Sequence, residues 1–229
     1  MFLLYTKLYR FLSRNQGFIR LFFDAFGIQC VHMKLKTIIV AGISGSGKGT
    51  QGRLIQEYLE KETDERVEYV ETGKFFREFM EKESHASSLA KDIIKDGGLQ
   101  PLFLAVWSWG GQFVKRLTGD EHLVVDGSPR VLSESSLLHS ALKFFKKETI
   151  YVFYLRLSDD HARERLLSRG RADDNDEEAV NERLSWFKEQ SLPAIEYFKD
   201  KEGVHYYEFD GSLPVEDVQS KIREILSQE

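Results

Sequence analysis

The chain has 229 residues, 41% of them hydrophobic and 30% charged, with a net charge of -5 at neutral pH. Those values suit one α/β domain with small insertions and exclude a chain that grips nucleic acid through a global positive field. A single cysteine, Cys30, excludes an internal disulfide and a cysteine-built metal site. The histidines (His32, His85, His122, His139, His161, His205) fall without ligand spacing, so no transition metal is expected.

Residues 1–32 differ from the rest: Phe, Leu and Tyr dominate, and Lys7, Arg10, Arg14 and Arg20 face a single acid, Asp24. Three readings compete here: a basic targeting or membrane-surface helix, an interaction arm, or an extension translated upstream of Met33. The last is favoured, because Met33-Lys-Leu-Lys36 leads directly into the first strand. No apolar run reaches the ~20 residues that span a bilayer. A monomer in the cytoplasm is therefore expected, with organelle targeting or membrane-surface contact left open by residues 1–32, and residues 33–229 forming the folded domain.

From residue 37 onward, strand-like runs near 37–41, 67–71, 122–126, 149–155 and 204–209 alternate with longer helical patterns. Such alternation predicts an α/β/α arrangement with a five-stranded parallel sheet covered on both faces, its ligands beyond the carboxyl ends of the strands.

The first strand runs into Gly42-Ile-Ser-Gly-Ser-Gly-Lys-Gly-Thr-Gln51, and Leu54, Ile55, Tyr58 and Leu59 follow at helical spacing. A strand, a glycine-rich turn and a helix in that order form a phosphate cradle. Gly45, Ser46, Gly47 and Gly49 leave backbone N–H groups able to surround phosphate oxygens, and the helix N-terminus adds its positive dipole. Lys48 is placed for the β/γ phosphates and Thr50 for a magnesium ion. The glycine at 49 puts the hydroxyl one place later than in the general pattern.

That Gly-Lys-Gly-Thr-Gln string resembles the nucleoside monophosphate kinases, the adenylate kinase family, and the resemblance continues over about 35–229. It implies a P-loop NTPase-type fold with a helical insert over the acceptor nucleotide, about 72–101, and a very short lid, about 169–174. Three further stretches carry it. Glu71-Thr-Gly-Lys-Phe-Phe-Arg77 follows the second strand, where Thr72 can cap a helix and Arg77 can approach a phosphate. Gly97-Gly-Leu-Gln-Pro101 resembles the loop over the acceptor base, which assigns Leu99 and Gln100 to substrate. Leu123-Val-Val-Asp-Gly-Ser-Pro-Arg130 resembles the family's Asp-Gly-Phe-Pro-Arg motif, with Ser128 in the phenylalanine's place. Asp126 is then a magnesium carboxylate, Gly127 lies against substrate, and Arg130 offers a planar fork to a monophosphate.

The run from Arg163 to Asp174, with Arg183 beyond it, matches the family's arginine set. Arg165 and Arg169 share a helix face and correspond to contacts with the donor nucleotide. Arg171 and Arg183 correspond to the pair on the transferring phosphoryl, with Asp173 and Asp174 orienting arginines. Asp210-Gly-Ser-Leu-Pro-Val215 resembles the turn at the donor adenine, which adds Leu213. The implied reaction moves the γ-phosphoryl of ATP to a nucleoside monophosphate with magnesium, with Lys48, Arg130, Arg171 and Arg183 as the catalytic set.

Two departures bear on the substrate. The family's aspartate at 74 is Lys74, which either weakens a water network around magnesium or lends a cation to the acceptor phosphate. The glutamine that reads adenine is Glu134, an acceptor-only side chain that suits guanine's donors. AMP is the leading acceptor, with GMP or a pyrimidine monophosphate behind it. A nucleotide-binding module without catalysis is the alternative from another class. No nucleic-acid partner is expected, and Trp107, Trp109 and Trp186 are expected in core and cleft-wall packing.

Overall fold

A computed structural model describes residues 34–170 and 177–228. The expectations for residues 1–32, and those for Arg171, Asp173 and Asp174, lie outside the described residues.

Five strands, β1 (Thr37–Gly42), β2 (Arg66–Glu71), β3 (Glu121–Asp126), β4 (Ile150–Arg156) and β5 (Val204–Asp210), form one parallel sheet in the order β2-β3-β1-β4-β5. The central strands are apolar at successive positions, not alternate ones: Ile38, Ile39 and Val40 in β1 and Leu123, Val124 and Val125 in β3 are all fully buried. Both faces must therefore be covered, which parallel crossover helices accomplish. On one face α1 (Lys48–Glu62) packs with α9 (Val215–Ser227), and Ile55, Leu59, Ile222 and Leu226 of these helices are buried. A core cluster lies on the other, where Trp109 and Phe113 of α4 (Leu102–Arg116), Leu138 and Leu142 of α5 (Leu132–Phe144) and Ile195 of α8 (Leu192–Glu196) meet Ile39, Val125 and Val152.

The insert after β2 consists of α2 (Thr72–Met80) and α3 (His85–Lys95), held to α4 by Phe79, Ala90 and Leu104, with Trp107 edge-on to Phe75 and Phe79. Beyond β4 come α6 (Asp159–Arg169), capped by Ser158 at one end and Gly170 at the other, and α7 (Glu177–Trp186). A π-helical stretch, Phe187–Ser191, joins α7 to α8, where Pro193 cannot donate the backbone bond that would continue a regular helix. In the register, Val40 faces Asp126 and Glu71 faces Asp126, so the ends of β1, β2 and β3 open side by side.

At the opposite end of β3 is a buried polar group. The fully buried Glu121 carboxylate accepts from Lys147 Nζ at 2.9 Å and from the Thr118 backbone and hydroxyl at 2.8 and 2.7 Å. Burial would raise this carboxyl, but those bonds hold it down at about 2. Next to it, His122 Nδ1 accepts from the Lys36 backbone N–H at 2.9 Å, and Nε2 lies 3.2 Å from the Thr63 hydroxyl. That hydroxyl already donates to Leu59 O, so the imidazole is neutral and carries its proton on Nε2. Burial pushes its pKa down to about 4, Glu65 opposing and Lys36 and Lys147 adding to the effect.

Both shifts act in one direction. The unfolded chain takes up protons that the folded chain refuses, on His122 between about pH 6.5 and 4 and on Glu121 between about pH 4.5 and 2. The His122 contribution is therefore whole above about pH 6.5 and declines by on the order of 3 kcal/mol as pH falls to 4. Melting temperatures at pH 7, 5.5 and 4.5 are expected to fall in that order, and a flat profile would contradict the assignment.

Candidate active site

The turn after β1 is shaped by backbone freedom. Gly45 and Gly47 have φ of 88° and 89°, the left-handed region that glycine enters without strain. Gly47 is the N-cap of α1, the Ser46 N–H bonds Ile43 O at 3.1 Å, and Lys48 Nζ donates to Ile43 O at 3.3 Å, so the lysine folds back over its own loop. Helix α1 begins at Lys48, as the glycine pattern predicts.

Lys48 and Gly49 line a cleft of about 780 Å³. From the other predicted residues, Thr72, Arg77, Leu99, Gln100, Asp126, Gly127, Arg130, Glu134, Arg169 and Arg183 line it too. Gly45, Ser46, Gly47, Thr50, Arg165 and Leu213 do not. Thr50 is exposed on the first turn of α1. Arg165 Nη1 donates to Gly45 O at 3.3 Å and Gly211 O at 2.8 Å, which fastens the phosphate loop to the turn carrying Leu213.

Asp126 is 4% exposed at the end of β3. Its Oδ2 accepts from the Tyr69 hydroxyl at 3.0 Å. Two glycines of α1 make room for this pair: a Cβ on Gly52 would stand 2.7 Å from the Tyr69 hydroxyl, and one on Gly49 would touch Asp126 Oδ2 at 3.4 Å. A larger side chain at 49 would fill the space over the carboxylate, which gives the extra glycine of the loop its physical reason. Burial pushes the Asp126 carboxyl up, against the opposing effects of Lys48 and the Tyr69 bond. Tyr69 was invisible in the sequence pattern, and the only available signal was the pairing of a large residue at 69 with glycine at 52.

Thr72 does not cap α2. It is the first helical residue, after Glu71, and its hydroxyl donates to Asp126 O at 3.3 Å. The neighbouring strand end offers a carbonyl at hydrogen-bonding distance, and that tie binds the insert to the end of β3. Glu71, unassigned in the sequence, lines the cleft and accepts from Arg77 at 2.7 Å and Arg53 at 3.4 Å. Arg77 is thus already oriented by a carboxylate at the mouth of the insert. Lys74 points outward, 64% exposed and 3.8 Å from Glu78, and does not line the cleft.

Arg130 is held from three sides. Its Nε donates to Gly127 O at 3.0 Å, its backbone N–H donates to Glu134 Oε2 at 2.7 Å, and its carbonyl accepts from the Ser191 hydroxyl at 3.0 Å. The other oxygen of Glu134 accepts from Trp109 Nε1 at 3.0 Å. Glu134 is 1% exposed, so it is neither a solvent-facing helix residue nor a carboxylate devoted to the cleft alone. Arg183 Nε donates to Ala179 O at 3.3 Å, and the residue lines the cleft.

A phosphate loop, a set of arginines and a helical insert that together line one cleft define a P-loop kinase acting on nucleotides. A family model described as adenylate kinase matches residues 40–203. An adenylate kinase of Prochlorococcus marinus (strain MIT 9515) is 33% identical over 184 residues, covering 78% of this chain and 92% of that one. Adenylate kinase 1 of Synechocystis sp. (strain ATCC 27184 / PCC 6803 / Kazusa) is 30% identical over 194 residues, 83% and 97% of the two chains. An adenylate kinase of Oenococcus oeni (strain ATCC BAA-331 / PSU-1) is 28% identical over 197 residues. The chain belongs to the adenylate kinase family and is a nucleoside monophosphate kinase. Among the described residues no helix is long and apolar enough to cross a membrane.

Proposed function

We propose that the protein transfers the γ-phosphoryl of ATP to AMP, giving two ADP, with magnesium required. The observation that carries this reading is the single cleft onto which Lys48, Arg77, Arg130 and Arg183 all open. Two polyanions brought end to end repel each other, and cations on both walls offset that repulsion where charge spreads over the group in transit. The backbone of the 42–49 loop with Lys48 and Arg169 holds the donor phosphates. Thr72, Arg77, Leu99, Gln100 and Gly127 hold the acceptor, and Arg130 and Arg183, with Arg171, grip the transferring phosphoryl.

Asp126, with Thr50, would hold magnesium and its water. The fit rests on the chemistry of the donor: a buried carboxylate whose ionised form burial disfavours regains that form beside a dication. When bound, magnesium neutralises the β- and γ-phosphate oxygens. The protein's own part is to position both nucleotides and exclude water from the phosphoryl, and no side-chain nucleophile is needed.

Glu134 favours a second reading, GMP as acceptor. A carboxylate only accepts, and guanine presents two adjacent donors where adenine presents one donor and one acceptor. A coupled assay of ATP consumption with AMP, GMP, CMP and UMP separates the two. The highest kcat/KM is expected with AMP. Preference for GMP would overturn the AMP assignment and leave the kinase standing, and turnover with none of the four would favour a binding module.

A further inference from the structure

Glu71 is the last residue of β2, and in the parallel register it stands beside Asp126 of β3. The sheet therefore fixes its backbone, and the residue lines the cleft. Its Oε1 accepts from Arg77 of the insert at 2.7 Å, and its Oε2 from Arg53 of α1 at 3.4 Å. The Glu71 side chain is 14% exposed, against 42% for Arg77 and 66% for Arg53. The carboxylate is the anchored member of this trio, and the two long arginine side chains are the ones that water reaches.

The Arg77 guanidinium turns back along α2. Its Nη2 donates to Glu71, and its Nη1 lies over the first turn of the helix, where a Cβ on Gly73 would stand 3.2 Å from it. Gly127 approaches the same turn from the end of β3: a Cβ there would stand 4.0 Å from the Gly73 N and 3.8 Å from Arg130 Nη2. Arg77, Arg130 and the N-terminus of α2 thus gather about two glycines that line the cleft. A guanidinium is a rigid planar fork, so holding one edge decides where the other lies. An arginine not held in this way must be ordered when its ligand arrives, and that ordering subtracts from affinity. A negative charge on this wall would by itself oppose an incoming phosphate, but two guanidinium groups offset it.

We propose that Glu71 is a positioning residue for the acceptor: it holds the Nη2 edge of Arg77 so that Nη1 stays at the N-terminus of α2, where the fork meets the acceptor phosphate. The inference rests on the assignment of Arg77 to the acceptor given above. Arg53 steadies the same carboxylate from α1, the helix that the phosphate loop begins, so the acceptor arginine is braced against the sheet and not against its own insert alone.

In the full chain, Glu71→Ala is expected to raise the KM for whichever of AMP, GMP, CMP and UMP the native protein turns over best by about 3- to 10-fold, the loss of pre-ordering of one long side chain. The turnover number and the KM for ATP are expected to stay within twofold of native. Glu71→Gln keeps an acceptor oxygen at the same reach and is expected to recover part of the rise. Melting temperatures of both variants are expected to stay near native, because the pairs they break end on exposed arginines. The deciding measurement adds Glu71→Ala to Arg77→Ala, where kcat/KM for the monophosphate is expected to change by less than twofold, since the group being positioned has gone. A KM that is unchanged or lowered in Glu71→Ala overturns the proposal, a lowered one making the carboxylate a rival of the phosphate for Arg77. So does a full-sized effect in the Arg77→Ala background, which would have Glu71 acting through another group. Native protein that turns over none of the four overturns the phosphotransferase reading instead.

Discussion

Replacing Lys48 by alanine is expected to lower kcat on the order of 10³-fold or more while the protein stays folded. Lys48 begins α1, its ammonium donates to the Ile43 carbonyl of its own loop, and it lines the cleft. Its side chain belongs to none of the apolar clusters described for the fold, so the protein is expected to stay folded. One consequence for Asp126 follows: without the nearby ammonium its carboxyl rises further, because Lys48 is the largest influence opposing burial there. Lys48→Arg should recover little, since a planar fork does not reproduce a compact ammonium over a tight loop. Steady-state kinetics with thermal melts of the same preparations check both halves. Near-native turnover in a folded Lys48→Ala protein would remove the phosphoryl-transfer assignment.

The second large effect is expected at Glu134, and it tests whether this side chain serves the base or the protein. Alanine there leaves a buried donor, Trp109 Nε1, and a part-buried one, the Arg130 N–H, without their acceptor. At about 1–3 kcal/mol for the buried indole donor, with a smaller loss at the part-buried Arg130 N–H, Glu134→Ala should lower folding stability by at least that amount. Turnover should fall with it, because the Arg130 main chain retains only the Ser191 bond on its carbonyl side. Glu134→Gln is predicted to lie between the two: its amide oxygen can take one N–H, but its amide nitrogen then faces the other donor. Denaturant melts and acceptor KM values separate the roles. A residue that only read the base would raise KM and leave the melt where it was.

Much of the site was legible in the sequence because it depends on neighbours in the chain. The 42–51 loop and the start of α1 at Lys48 follow from local spacing and periodicity, and the insert and Asp126 at the end of β3 from the resemblance to the family. Arg183 also reaches the cleft, although the interval from Asp173 is one residue longer than the family pattern led one to expect. Thr72 was misread locally, as a cap, because its partner belongs to a strand 54 residues away.

The sequence by itself determined a parallel sheet with a phosphate loop at the end of its first strand, and a set of cations able to serve two nucleotides. Only the tertiary structure decided what holds them. Tyr69 reaches Asp126 across 57 residues, Ser191 reaches Arg130 across 61, and Trp109 reaches Glu134 across 25. Helical and strand periods restrict which way a side chain leaves its own element, and they carry no record of which distant element will lie opposite. Those pairings arise when the layers close over the sheet and each buried donor must find an acceptor.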